Sequence, residues 1–243
     1  MPYLEIDGVC PICQRGVRFR AESEWLRDSF LCDGCGSIPR ERAFFSVIEM
    51  LYPNWRDLHI HETSPAMRAA SLKLSTECKR YSYSYYNEEM IRGAIHSAQG
   101  YRCEDIEQMT FGDETFDLFL SQDVFEHIFN PDRAIKEIAR ILKIGGAYIM
   151  TVPIVMKATE SRRRASIDST GNIIYTLEAQ YHGNPLDKRG SLVTIDWGYN
   201  ILDYLSYYSS LRCNMVYIDD LSRGIRAEYI EVIVCRKGSS PIL

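Results

Sequence analysis

The chain has 243 residues, 46% of them hydrophobic, with 28 Lys and Arg against 33 Asp and Glu for a formal net charge of −5. That length accommodates one full-sized domain with its own core and a small appendage, and that balance excludes a disordered chain or a generic polyanion binder. No window approaches the roughly 18 consecutive apolar residues of a membrane span, and the start MPYLEIDGVC lacks the blocks of a signal peptide, so the sequence predicts a cytoplasmic protein.

The first feature along the chain is a pair of C-x-x-C units, Cys10 with Cys13 and Cys32 with Cys35, separated by eighteen residues. This is the arithmetic of a structural zinc ribbon over residues 1–38, because each unit turns two thiolates toward one ion and four thiolates leave no coordination position open. The remaining Cys78, Cys103, Cys213 and Cys235 are isolated and are expected to be free, small core residues. Next, SIPRERAFFSVIEMLYP predicts a linking helix over 39–54, with Ser37 as cap and Phe44, Val47, Ile48 and Leu51 on one face.

From residue 55 short apolar runs alternate with helical stretches. LHIH, CKRYSYSYY, YRCEDI, FDLFLSQ and AYIMTVP read as strands. The clearest helix lies between the last two, with Asn130 as cap, Pro131 at its first position, an Ile135, Ile138, Ile141, Leu142 stripe, and Gly145 and Gly146 at its end. Such alternation predicts an α/β, Rossmann-like, mostly parallel sheet with helices on both faces and a crevice at the carboxyl ends of the strands, over residues 55–243. Residues 157–190 are too long for a plain connection and are expected to form an inserted, substrate-facing segment. They hold the run Arg162 to Arg164, a short strand NIIYTL and the turn-rich YHGNP. The arginines read as a solvated face, or else as contacts to an anionic, phosphate-bearing substrate. A helix in IDWGYNILDYLSYY and two antiparallel strands, CNMVYID and EYIEVIVCRK, close the domain.

Residues 101–153, YRCEDIEQMTFGDETFDLFLSQDVFEHIFNPDRAIKEIARILKIGGAYIMTVP, resemble the core of class I S-adenosylmethionine-dependent methyltransferases. An acid after the third strand, FD before the fourth, an EH pair, and a helix running into LKxGG and a fifth strand occur there in the family order. With the N-terminal cysteines, the PRERA helix and YHGNP, the chain resembles a bacterial subgroup associated with glycan biosynthesis. The resemblance implies that Asp105 accepts a hydrogen bond from the adenine amino group, that Ile106 packs on the ring, and that Gln122 and Asp123 lie under the methionine and sulfonium.

The first motif departs from the family pattern, because LHIHETSPAMR puts His61, Thr63 and Pro65 where glycines usually stand. Glu62 is a candidate partner for the ribose or the amino group, and Thr63 and Ser64 for the methionine carboxylate. The ribose acid after the second strand is missing, with Ser84 and Tyr85 nearest to its place. Methyl transfer calls for a base beside the acceptor, and His182 in YHGNP or His127 in EHIF can serve, with Glu126 orienting either. The implied activity is transfer of the methyl of S-adenosylmethionine to an oxygen, or a nitrogen, of a small-molecule or carbohydrate acceptor. Two alternatives stand beside it. One is an RNA methyltransferase whose ribbon grips nucleic acid, against which six acids outnumber four arginines within residues 1–36. The other is a binding protein without catalysis.

Overall fold

The computed structural model describes residues 1–184 and 187–238. Pro185, the last residue of YHGNP, and residues 239–243 of the 55–243 domain lie outside the described residues.

Residues 1–38 form a three-stranded antiparallel ribbon of β1 (Leu4–Val9), β2 (Gly16–Ala21) and β3 (Leu31–Cys32), with a single helical turn α1 (Leu26–Ser29) before β3. The Sγ atoms of Cys10, Cys13, Cys32 and Cys35 all lie within 4.8 Å of one another. Cys10 is 3.8 Å from Cys35 and Cys13 is 4.0 Å from Cys32. Zinc–sulfur bonds of about 2.3 Å in a tetrahedron set the sulfurs about 3.8 Å apart, so this donor set fits zinc.

The linking helix α2 (Pro39–Leu51) starts with Pro39 in its first turn, and Glu41 Oε2 accepts the Ile38 N–H at 3.0 Å. Ser37, expected as the cap, has its hydroxyl 3.2 Å from Cys35 Sγ instead. Phe44, Val47 and Ile48 are buried on its inner face.

The central sheet has the order β15-β16-β8-β7-β4-β5-β6, built from β4 (His59–Thr63), β5 (Arg80–Tyr85), β6 (Arg102–Cys103), β7 (Phe116–Gln122), β8 (Leu142–Thr151), β15 (Arg212–Val216) and β16 (Val232–Arg236). The pairs among β8, β7, β4, β5 and β6 are parallel, and only β16 runs against its neighbours β8 and β15. Strand order reverses between β4 and β7, which opens a crevice at their carboxyl ends.

Alternate side chains of the buried strands feed two cores. One face packs Ile60, Leu118, Leu120, Ile149 and Val232 under α2 and α3 (Ala69–Glu77). The other packs Phe119, Tyr148, Met150 and Ile233 under α4 (Pro131–Ile141) and α5 (Ile201–Ser209). Helix α4 ends at Ile141, and β8 begins at Leu142 with an irregular register against β7. Gly145 and Gly146 therefore sit inside a strand rather than at a helix end. A Cβ on Gly146 would lie 2.8 Å from the Asp117 carbonyl oxygen, so the bulge needs that glycine.

The ribbon is continuous with the first core, where Cys10, Phe19, Phe30 and Cys32 pack with α2, Ile225 and Ile230. A Cβ on Gly8 would overlap the Ser222 carbonyl, and one on Gly224, at φ +66°, would lie 2.6 Å from the Phe19 ring. Buried Arg42 donates to the carbonyls of Ser37, Phe30 and Gly224 and sits 4.8 Å over the Phe19 ring. Burial pushes its guanidinium down to about 10, against the pull of Cys10, Cys32 and Cys35.

Residues 157–190 and the segment after them make three short ladders. These are β10 (Ala165–Ile167) with β11 (Ile173–Tyr175), β12 (Tyr181–His182) with β13 (Ser191–Leu192), and β9 (Arg162–Arg163) with β14 (Ile195–Asp196). Cys213 and Cys235, expected to be free, face each other across β15 and β16 and are joined in a disulfide.

Candidate functional site

A cleft of about 1310 Å³ opens at the carboxyl ends of β4, β5 and β7. Its walls come from four stretches of the chain. The sheet contributes Thr63, Ser64, Tyr85, Tyr86, Gln122 and Asp123; the loop after β6 adds Asp105 and Ile106; the insertion adds Tyr181, His182 and Gly183. The fourth stretch was not legible in the sequence, for Trp25, Arg27 and Asp28 of the ribbon and Arg40 of α2 line the same cleft.

The glycine-poor stretch from β4 into the start of α3 takes the backbone that glycine would take. Ser64, Met67 and Ala69 have φ of +51°, +50° and +41°, a left-handed conformation that costs an L-residue about 1 kcal/mol or more. The Ser64 N–H is held by the Ser84 carbonyl at 2.7 Å.

Several expected cofactor contacts point elsewhere. Glu62 is fully buried beneath the cleft, where Ser71 Oγ, Tyr81 Oη and Gln122 Nε2 donate to its oxygens at 2.7, 2.7 and 3.1 Å. Burial raises its carboxyl, and those three donors oppose the rise. It holds β4, β5, β7 and α3 together, and both of its oxygens are engaged there. Ser84 is also buried, with its hydroxyl 2.9 Å from His61 Nε2. His61 stacks on Phe119 with ring centroids 5.5 Å apart, and burial pushes its imidazole down to about 3, so it is a neutral core residue. The exposed side chains that line the cleft beyond β5 are Tyr86 and Glu88.

Asp123, expected under the sulfonium, is committed to an inter-element clamp. Its Oδ2 lies 2.5 Å from Arg27 Nη2 and 3.2 Å from Arg40 Nε, while Thr151 Oγ1 donates to Oδ1 at 3.1 Å. Burial raises the Asp123 carboxyl, but Arg40 and Arg27 outweigh it and the net shift is downward. The arginine run is likewise spent on structure. Arg162 and Arg164 reach Asp196 at 3.4 and 2.8 Å, Arg163 donates to the Phe129 carbonyl, and none of the three lines the cleft.

Asp105 and Ile106 do line it, beyond the carboxyl end of β6. Asp105 Oδ1 accepts the Glu107 N–H at 2.9 Å, Oδ2 faces Arg92 at 3.8 Å, and burial raises the carboxyl. Gln122 lines the cleft with a buried Oε1 that has no hydrogen-bond partner. A buried carbonyl oxygen without a donor is costly unless a ligand supplies one, so this residue fits a bound ammonium or hydroxyl.

On the acceptor side, His127 and His182 face each other edge to face, with ring centroids 5.3 Å apart, over the buried Glu126. Glu126 Oε1 is 3.4 Å from His182 Nδ1 and 3.6 Å from His127 Nε2. The carboxylate raises the His182 imidazole.

Residues 66–150 match the family model of a methyltransferase domain. A ubiquinone biosynthesis O-methyltransferase of Parvibaculum lavamentivorans is 34% identical over 79 residues, which covers 30% of this chain and 31% of the relative's length. An S-adenosylmethionine-dependent methyltransferase from Mesorhizobium loti superposes with a TM-score of 0.51 at 14% identity, over 80% of this chain and 97% of the other. The 1,6-didemethyltoxoflavin-N1-methyltransferase of Burkholderia thailandensis, with S-adenosylhomocysteine bound, gives 0.51 at 10% identity, over 82% and 79%. The chain thus has the Rossmann-like methyltransferase fold, with a mostly parallel sheet. The matched domain and these neighbours are those of methyltransferases, and the chain spans about a third of the length of the curated relative it matches.

Proposed function

We propose that the protein transfers the methyl group of S-adenosylmethionine to an oxygen of a small-molecule or carbohydrate acceptor. The observation that carries the reading is the ordered set of groups along the strand ends: Asp105 and Ile106 past β6, Tyr86 past β5, Thr63 and Ser64 past β4, and the unpartnered Gln122 Oε1 on β7. When bound, the cofactor supplies a methyl group on a positively charged sulfur. Asp105 then accepts from the adenine amino group, Ile106 packs on the ring, and Tyr86 and Glu88 flank the ribose in place of Ser84. Thr63, Ser64 and Gln122 hold the amino-acid end.

Activation of the acceptor belongs to Glu126, His127 and His182, on the side where Ile167, Ile173 and Tyr181 border the mouth. Oxygen as the attacked atom draws support from the relative named as an O-methyltransferase. The carbohydrate option rests on the sequence resemblance of the YHGNP-bearing subgroup. A nucleic-acid grip by the ribbon finds no basic face, because Arg18 and Arg20 pair with Glu5 and Asp7, Arg15 is bound to the Gly34 carbonyl and Arg27 to Asp123. In the same reading the four ribbon cysteines hold a structural zinc ion.

Calorimetric titration of the full chain with S-adenosylmethionine tests this reading. One equivalent should bind and be competed off by S-adenosylhomocysteine. A chain that is folded by circular dichroism and takes up neither compound would remove the methyltransferase reading.

A further inference from the structure

We infer that Glu126, His127 and His182 form a second metal site, one that binds a divalent ion in the wall of the cleft and presents it to the acceptor's hydroxyl oxygen. The role given to the ion rests on the methyltransferase reading; the site itself rests on the geometry.

The Glu126 carboxyl is 2% exposed, and neither of its oxygens has a hydrogen-bond partner. An ionised carboxylate so placed is strongly disfavoured unless a cation meets it. The histidines that approach it do not satisfy it by hydrogen bonding. His127 Nδ1 lies 2.9 Å from the Leu192 carbonyl. A carbonyl can only accept, so Nδ1 carries a proton, and a ring with that one proton keeps a lone pair on Nε2. That lone pair faces Glu126 Oε1 at 3.6 Å, an unfavourable contact unless a positive centre lies between them.

The spacing is wider than a shared proton requires and compatible with a shared metal ion. A proton held between imidazole and carboxylate draws the heavy atoms to about 2.7–2.9 Å. Ligands about 2.0–2.1 Å from one tetrahedral ion stand about 3.3–3.4 Å apart. The observed separations are 3.4 and 3.6 Å, and one ligand atom from each of the three residues lies within 4.8 Å of the others.

The surroundings are those of a ligand set held in place from outside. The His127–Leu192 bond fixes ring tautomer and orientation, as the outer contacts of metal-bound histidines do. Thr194 holds the Glu126 backbone through its N–H at 2.8 Å and its hydroxyl at 3.0 Å. His182 is paired with Ser191 in the β12–β13 ladder. Two imidazoles and one carboxylate suit Zn²⁺, Fe²⁺, Co²⁺ or Mn²⁺ and leave positions open toward the cleft.

That open position gives the cluster its chemistry. A hydroxyl on a divalent ion loses its proton far more readily than in water. The acceptor oxygen releases that proton to solvent, then forms the new C–O bond as the C–S bond of the cofactor breaks and its electron pair returns to sulfur. In this arrangement His182 is a ligand, and the free imidazole base expected from its turn is not required.

The test uses the full chain with its ribbon loaded with zinc, and Co²⁺ as the probe, followed by calorimetry and by the visible spectrum. One equivalent should bind with the weak bands of nitrogen and oxygen ligation, without the intense sulfur charge transfer that displacement at the ribbon cysteines would show. E126Q and H127A should each weaken that binding at least tenfold, and H182Q should do the same. Wild-type protein that takes up no Co²⁺ beyond the ribbon, or folded E126Q that binds it as tightly as wild type, would overturn the proposal. Titration with S-adenosylmethionine on the same samples keeps the two readings apart. Cofactor binding without metal binding sinks the metal site alone, and metal binding without cofactor binding sinks the methyltransferase reading while the site stands.

Discussion

Replacing Asp123 by Asn keeps the side-chain shape and the bond from Thr151, but removes the single negative charge that Arg27 and Arg40 share. The side chains of Arg27, Arg40 and Asp123 are only 11%, 16% and 17% exposed. An exposed ion pair would be worth about 0–1 kcal/mol, whereas removing one member of a buried pair costs about 3–5 kcal/mol because the partner stays charged and unpaired. These exposures place the clamp nearer the second case, and partial hydration lowers the expected loss to about 2–4 kcal/mol. For a chain of this size that is a fall in Tm of about 5–15 °C.

The three tryptophans make the assay specific, since Trp25 lies on the ribbon and in the cleft wall while Trp55 and Trp197 are buried in the two cores. Urea unfolding followed by Trp25 fluorescence, with the other two replaced by Phe, should coincide with unfolding followed by far-UV circular dichroism. Adding Arg27→Met to Asp123→Asn should restore part of the stability, because it removes a buried cation left with only Asp28, at 3.7 Å. The pH dependence has a definite sign. The folded carboxyl titrates below its unfolded value of about 3.9, so its contribution is complete above that pH and disappears as pH falls through the folded value. Wild type and D123N should therefore differ at neutrality and converge in strong acid. A loss under 1 kcal/mol, or a ribbon that melts alone while the sheet persists, would refute the clamp.

Removal of zinc by chelation, or Cys32→Ser, should lower the unfolding midpoint of the whole chain in one transition, because Cys10 and Cys32 share a core with Phe44, Ile60 and Val232; two separate transitions would contradict this. Asp105→Ala should weaken S-adenosylmethionine binding by about 1–3 kcal/mol, the usual loss for a hydrogen bond to a charged partner, read by calorimetry on folded protein. Gly224→Ala should cost about 1–3 kcal/mol in urea unfolding, since its φ of +66° and the Phe19 ring 2.6 Å from the new Cβ both oppose a side chain.

Much of the frame was legible in the sequence because it follows from short-range pattern. FDLFLSQ is β7 from first residue to last, and the cysteine spacing marks the residues whose sulfurs gather. Asn130 and Pro131 do open α4, though the Asn130 side chain bonds Glu107 rather than capping the helix. What pattern could not convey was depth. Glu62 and Ser84 stand at strand ends where a ligand contact is natural, yet their oxygens turn inward to Ser71, Tyr81 and His61. Nor could it show that Arg27 and Asp123, 96 residues apart, meet in one wall. That contact depends on the docking of the ribbon, and the docking depends on two glycines on opposite sides of the joint.

The same joint sets an order on biosynthesis. The ribbon leaves the ribosome well before the groove that receives Phe19, which is made by Gly224, Ile225 and Ile230. About two hundred residues separate them, which at about 5–20 residues per second is about 10–40 s of synthesis. For that interval Phe19 has Phe30 and Arg42 beside it but lacks the far wall of its groove, and contacts so distant along the chain form slowly once all the residues exist. A cell making this protein must therefore shield a small apolar surface until residues 224–230 have been made, and a chain stopped short of residue 224 would expose it permanently.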